Sequence, residues 1–260
     1  MYLLICNGLW CFSMKRIKLV ISYDGTNYHG WQVQPDKITI EGVINKALSE
    51  LLQEDITVIG ASRTDAGVHA KGNVAVFDTN TMIPAEKICF AVNRYLPWDI
   101  RVLSSTEVPA DFHPRKVSCR KTYEYKIMNR DIAIPTERLY SYFVYYDMDI
   151  KAMQEAAQYL IGEHDFKSFC SANTKVLDTV RTIYSLNVEK EGYMIKISIT
   201  GNGFLYNMVR IIAGTLIEVG RGVKNPKDME TILKGRNRRL AGPTAPAHGL
   251  TLVGIEYDMI

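Results

Sequence analysis

Several features that would narrow the function at once are missing from this 260-residue sequence. Cysteine is scarce. The five are Cys6, Cys11, Cys89, Cys119 and Cys170. An odd number without a CxxC pair indicates neither a disulfide framework nor a zinc knuckle. Free thiols fit a reducing, cytoplasmic setting. No run of 18 apolar residues is free of charge, which excludes a helical membrane span. Eighteen Gly and nine Pro are too few for a collagen-like or low-complexity chain. Charge of one sign is not in excess either: 31 basic against 28 acidic residues leave +3, a weak global signal about partners.

The familiar cofactor fingerprints fail as well. Gly25 to Gly30 has P-loop spacing, but Trp31 follows where lysine is needed. Gly201-Asn202-Gly203 lacks the third glycine of a dinucleotide turn. Asp65 and His69 form a DxxxH pair with no further ligand nearby in sequence. The expectation is no cofactor and no metal.

What is present is an ordinary globular composition, 47% hydrophobic and 10% aromatic. Residues 17–23 alternate, placing Ile17, Leu19, Ile21 and Tyr23 on one face of a strand. Residues 39–52 carry an amphipathic helix. A short strand over 56–61 leads into a loop over 62–72, and strand returns at 73–79. Pro84 opens a helix running to about Tyr95. In the second half, 120–128 alternate, Asp149 caps a helix, and 181–189 with 193–200 form a hairpin around Glu191-Gly192. Residues 204–219 predict a buried helix, a short helix follows Pro226, and 250–257 is a final strand.

Hairpins mixed with helices indicate an α+β fold: two α/β halves sharing a mainly antiparallel central sheet flanked by helices. The expected organisation is an extension at 1–13, with Met14 as the working start, then halves at 14–110 and 111–260. The last strand is expected to return to the first half's sheet.

Three features carry chemistry. Asp65 sits in the glycine-containing loop SRTDAGVHA, directly after a core strand, where sites are commonly built. An extended segment puts Arg63 on its face, and a guanidinium there would lower the carboxylate's pKa, suiting a nucleophile or base. The same spacing also describes a turn aspartate bonding its own backbone. Next, Arg120-Lys121-Thr122-Tyr123-Glu124-Tyr125-Lys126 interleaves bases with aromatics, as phosphate neutralisation and base stacking require. A strand with its tyrosines in the core reads alike. Finally, Arg210 lies inside an apolar helix, where it needs an anion or acceptors; these lie either within the fold or at Asp65. Two basic runs, 113–130 and 224–239, are solvated faces or phosphate contacts.

With these residues in place, the sequence closely resembles the TruA-type tRNA pseudouridine synthases, from Met14 to Tyr257. The matching blocks are YDGTNYHGWQ (23–32), SRTDAGVHA (62–70), DFHPRKVSCRKTYEYKI (111–127), GEHDFKSF (162–169), GNGFLYNMVRIIAGTLIEVGRG (201–222) and GPTAPAHGLTL (242–252). The resemblance implies isomerisation of uridine to pseudouridine at positions 38, 39 and 40 of the tRNA anticodon stem-loop. It also implies a homodimer, an RNA cleft between the halves, and no cofactor or metal. Asp65 would be the essential aspartate, Arg63 an arginine that pairs with it and displaces the target base, and Tyr123 a stacking residue and candidate base. Arg210 would pair with the aspartate. Phe112 and His113 would bind substrate. Arg115, Lys116, Arg236, Arg238 and Arg239 would meet the RNA backbone. A non-catalytic RNA-binding protein is the alternative reading, and it makes Asp65 dispensable.

Overall fold

The structure, a computed structural model, describes residues 5–6, 9–10, 14–171 and 176–258. Ile5–Cys6 (β1) and Leu9–Trp10 (β2) pair with each other in a two-stranded sheet of their own. The remainder of 1–13, on which the expected extension falls, lies outside the described residues.

The fold is α+β, with a mixed ten-stranded sheet and, among the described residues, five α-helices. In chain order the first half runs Lys15–Tyr23 (β3), Ile40–Leu52 (α1), Ile59–Gly60 (β4), His69–Thr79 (β5), Ala85–Val92 (α2) and Ile100–Val108 (β6). The second half runs Cys119–Asn129 (β7), Tyr142–Val144 (β8), Ile150–Gln158 (α3), Gly162–Asp165 (β9), Val180–Glu191 (β10), Met194–Gly201 (β11), Met208–Gly220 (α4), Asp228–Gly235 (α5) and Leu250–Tyr257 (β12). The strand order is β6-β3-β5-β12-β7-β11-β10-β9, with β4 on β5 and β8 on β7. Only β5–β12 and β7–β8 are parallel.

Local chemistry explains the elements. Thr39 and Asp149 cap α1 and α3, each accepting a backbone N–H with its side-chain oxygen. The inward row of β3 is Ile17, Leu19, Ile21 and Tyr23, all buried against the helices. Gly192, at φ +56°, makes the β10–β11 turn.

Two differences from the sequence pattern shape the site. The helix expected from Phe204 starts only at Met208, because Asn207 takes a left-handed conformation (φ 60°) that no α-helix continues through. Strand β5 starts at His69, four residues early, because Thr251 and Leu252 of β12 pair with His69 and Ala70. That pairing is the whole seam between β5 and β12. Farther along, the edge of β5 is taken by β4, at Ile59↔Val76 and Gly60↔Ala75. The Asp65 loop leaves β4 where the two strands part.

Candidate active site

The loop from Ala61 to Val68 is held at nearly every residue. Ala61 N–H donates to Val74 O at 2.7 Å, and Ala61 O accepts from Lys121 Nζ at 2.8 Å. Ser62 O accepts from Asn73 Nδ2 at 3.0 Å. Thr64 O accepts from Trp31 N–H at 3.0 Å, and its hydroxyl meets Tyr23 Oη at 2.7 Å. Gly67, at φ +78°, lets the chain double back so that Val68 N–H reaches Asp65 O at 3.1 Å. A loop fixed this way presents the Asp65 side chain in one place.

Asp65 meets Arg210 across the seam, Oδ2 to Nη1 at 3.0 Å, with side chains 19% and 17% exposed. Arg210 lies in the first turn of α4, where the helix dipole disfavours a cation. It is held by three acceptors: Asp65, Asn207 Oδ1 at 2.9 Å, and Ala245 O, to which Nε donates at 2.8 Å. Gly214 makes the last contact possible. A Cβ there would overlap the Pro243 carbonyl, so only glycine lets the 243–245 strap lie against α4. Burial raises the Asp65 carboxyl above its ordinary value, and Arg210 offsets only part of that rise.

Tyr123 of β7 is buried, with its ring edge-on to Phe204 at 5.2 Å. Burial, with the Asp65 charge nearby, pushes its phenol up to about 12, so it is neutral at pH 7. The buried Ser62 hydroxyl lies beside it and works against that rise. Together, Asp65, Arg210, Tyr123, Arg63, Phe204 and Asn207 line a cavity of about 640 Å³, within the roughly 300–1,000 Å³ of small-molecule sites.

The tRNA pseudouridine synthase family model matches residues 19–115 and 156–258. The chain belongs to the tRNA pseudouridine synthase family. A relative in Brevibacillus brevis, tRNA pseudouridine synthase A, is 50% identical over 244 residues, 94% of this chain and 100% of its own. A protein of the same name in Ruminiclostridium cellulolyticum is 51% identical over 245 residues, 94% of this chain and 100% of its own. In Bacillus pumilus the figures are 47%, 245 residues, 94% and 99%.

The synthase differs from the sequence reading at several residues. Arg63 lines the cavity but is exposed and makes no ion pair with Asp65. The guanidinium on the carboxylate is Arg210, and the net shift of Asp65 is upward, not downward. Phe112 does not reach the cavity. It packs with Val76 and Val108 and edge-on to Tyr257 at 5.2 Å, in a separate cluster. His113 caps its own turn, its Nδ1 accepting Arg115 N–H at 3.2 Å. Arg115 lines the cavity and Lys116 is exposed outside it.

In the 224–239 run most charges already have partners. Arg236 Nε pairs with Asp165 at 3.0 Å, Lys224 with Glu218 and Lys234 with Glu230. Arg238 donates to Gly242 O at 2.8 Å and to the Thr244 hydroxyl at 3.1 Å, pinning the strap. Arg239 is exposed. His69 is engaged elsewhere: Nδ1 accepts Gly25 N–H at 3.1 Å and lies 3.1 Å from Asp24 Oδ1, and Nε2 meets Leu139 O at 3.0 Å. Lys121, Phe204, Tyr206 and Asn207 are among the cavity residues that were not picked out from the sequence as site residues. The signal for Lys121 was available, since it interrupts the inward-facing row Cys119, Tyr123, Tyr125, Ile127.

Proposed function

We propose that this chain is an isomerase that converts uridine to pseudouridine at positions 38, 39 and 40 of the tRNA anticodon stem-loop. The observation that carries this reading is the Asp65–Arg210 ion pair, joining the two halves inside a cavity walled by Tyr123. The reaction breaks N1–C1′, turns the uracil and joins C5 to C1′; the C5 proton is lost and N1 gains one. A stacked uridine hides these atoms, so it is flipped out, at a cost of a few kcal/mol. Arg63, exposed on the cavity wall, fills the space the base leaves. Tyr123 and Phe204 offer ring surface to the flipped base.

Asp65 supplies the carboxylate that attacks C6, attacks C1′ or takes the C2′ proton. Desolvation makes it more basic than an aspartate in water, and Arg210 keeps its charged form within reach at neutral pH. Tyr123, neutral at rest, accepts the C5 proton only while passing its own to another group. In this reading the protein works as a cytoplasmic homodimer, with tRNA lying in a cleft between the halves. No helix among the described residues is long and apolar enough to cross a membrane.

The test is incubation of purified protein with anticodon stem-loop RNA, followed by pseudouridine mapping. Pseudouridine is expected at 38, 39 and 40. A stem-loop with cytidine at all three should be inert. Conversion elsewhere only, or none, would overturn the reading.

A further inference from the structure

Lys121 is the one cation on the inward row of β7, between Cys119 and Tyr123. A strand position facing the core normally takes an apolar side chain. Its ammonium donates to Ala61 O at 2.8 Å and lines the cavity that holds Asp65. No carboxylate among the described residues pairs with it. After the Cys119 thiol, the group that acts on it most is another cation, Arg115, on the same cavity wall, and among the described residues Arg115 likewise makes no side-chain ion pair. Burial first, then Arg115, pushes the Lys121 ammonium below its ordinary pKa.

A covered ammonium beside a guanidinium, with no acid between them, is costly as the protein stands. Holding one backbone carbonyl does not require a full charge; a neutral donor would do. The cost is relieved when an anion arrives, and phosphate is the anion a nucleic acid carries at every nucleotide. The Asp65–Arg210 pair, by contrast, is already neutralised and has no free charge to offer.

We propose that Lys121 and Arg115 together seat one phosphodiester of the substrate RNA, the one flanking the flipped uridine. The proposal rests on the synthase reading and adds a binding contact to it. Lys121 also gives the seat a mechanical link. The same ammonium fixes Ala61, four residues before Asp65, so the phosphate and the catalytic loop share one anchor. Arg115 reaches in from the turn that His113 caps, which assigns that turn a positioning role.

The test uses the full-length protein, anticodon stem-loop RNA, and Lys121→Met, Lys121→Arg and Arg115→Gln. Affinity is measured against KCl concentration, and single-turnover rates are measured on the same RNAs. Lys121→Met should reduce the log–log salt slope by about 0.7–0.9, the contribution of one phosphate, and Lys121→Arg should restore it. Stem-loops carrying a single uncharged methylphosphonate are then compared. Wild type should lose about tenfold in affinity when the linkage beside the target uridine is neutral, and Lys121→Met should be indifferent to that linkage alone.

If Lys121→Met responds to every linkage as wild type does, the phosphate seat is refuted. If slope and affinity hold while single turnover slows, the ammonium acts on the uracil and the proposal also fails. A fall in melting temperature with an unchanged salt slope reduces Lys121 to a loop tether. Wild-type conversion of the unmodified stem-loop, run alongside, separates all of these from failure of the synthase reading.

Discussion

Replacing Arg210 by glutamine removes the cation 3.0 Å from Asp65. Both side chains are less than a fifth exposed, so water screens the pair less than it would on a surface. At hydrogen-bond range an opposite charge lowers a carboxylate's pKa by about 1–3 units. Burial already lifts Asp65 above its ordinary value, and among the described residues Arg210 is the group holding it down. In Arg210→Gln the pKa should therefore climb by a further 1–3 units or so. Asp65 acts as an anion, so activity disappears on the acid side and a higher pKa moves that limb upward. The assay is single-turnover conversion of stem-loop RNA across pH, with the Asp65 carboxyl followed by ¹³C NMR. The acid limb and the NMR midpoint should move up together, with activity partly recovered at high pH. An unmoved limb with a rate lowered equally at every pH would mean that Arg210 serves the RNA and not the carboxylate.

Asp65→Asn should not lower the melting temperature at pH 7. The folded pKa is raised, so the stability Asp65 contributes is complete below its unfolded value of about 4 and is lost as pH rises through the folded value. The wild type should therefore lose ground to the variant between pH 4 and 7, and a variant that is less stable throughout would contradict this sign. Tyr123→Phe keeps the ring, so RNA affinity should hold while single turnover slows about a hundredfold if the hydroxyl relays the C5 proton. Equal rates would make Tyr123 a platform only. Gly214→Ala should displace the 243–245 strap and release Arg210 from Ala245, costing activity well beyond the loss in melting temperature; wild-type turnover in a folded variant would refute that coupling. Charge reversal at Arg239 should change the salt slope of RNA binding little, and at Arg236 or Arg238 should lower the melting temperature instead, since those two are engaged within the fold. A slope reduced by two or more would restore the run as an RNA contact.

The elements that were legible are those whose signal is local. The β3 alternation, the amphipathic α1, the Asp149 cap, the Gly192 turn and the limits of β12 all follow from side chains a few residues apart. Position 65 stood out as a candidate because a Gly-containing loop after a strand is a local pattern, one that a turn aspartate shares. What was not legible depends on distant partners. The early start of β5 is set by residues 251–252, and β8, three residues long, is stabilised by β7. The partner of Asp65 is 145 positions away, so spacing alone offered the near neighbour Arg63, and Arg210 entered as one of two open readings and through the family resemblance. Phe112 was a site residue only through the family resemblance, and its ring fills an apolar cluster with Val76 and Val108. Charge runs mislead in the same way, because Arg236 and Arg238 find their partners only once the chain is folded.

The central claim is that the carboxylate of Asp65 carries out the isomerisation, and the direct measurement compares wild type with Asp65→Asn on one stem-loop RNA. Asparagine still accepts the Arg210 hydrogen bond, so the site stays assembled while the charge is gone. Pseudouridine should form with wild type and be undetectable with the variant. RNA affinity should stay within about tenfold, because phosphate contacts dominate binding. Conversion by Asp65→Asn at anything near the wild-type rate would contradict the account.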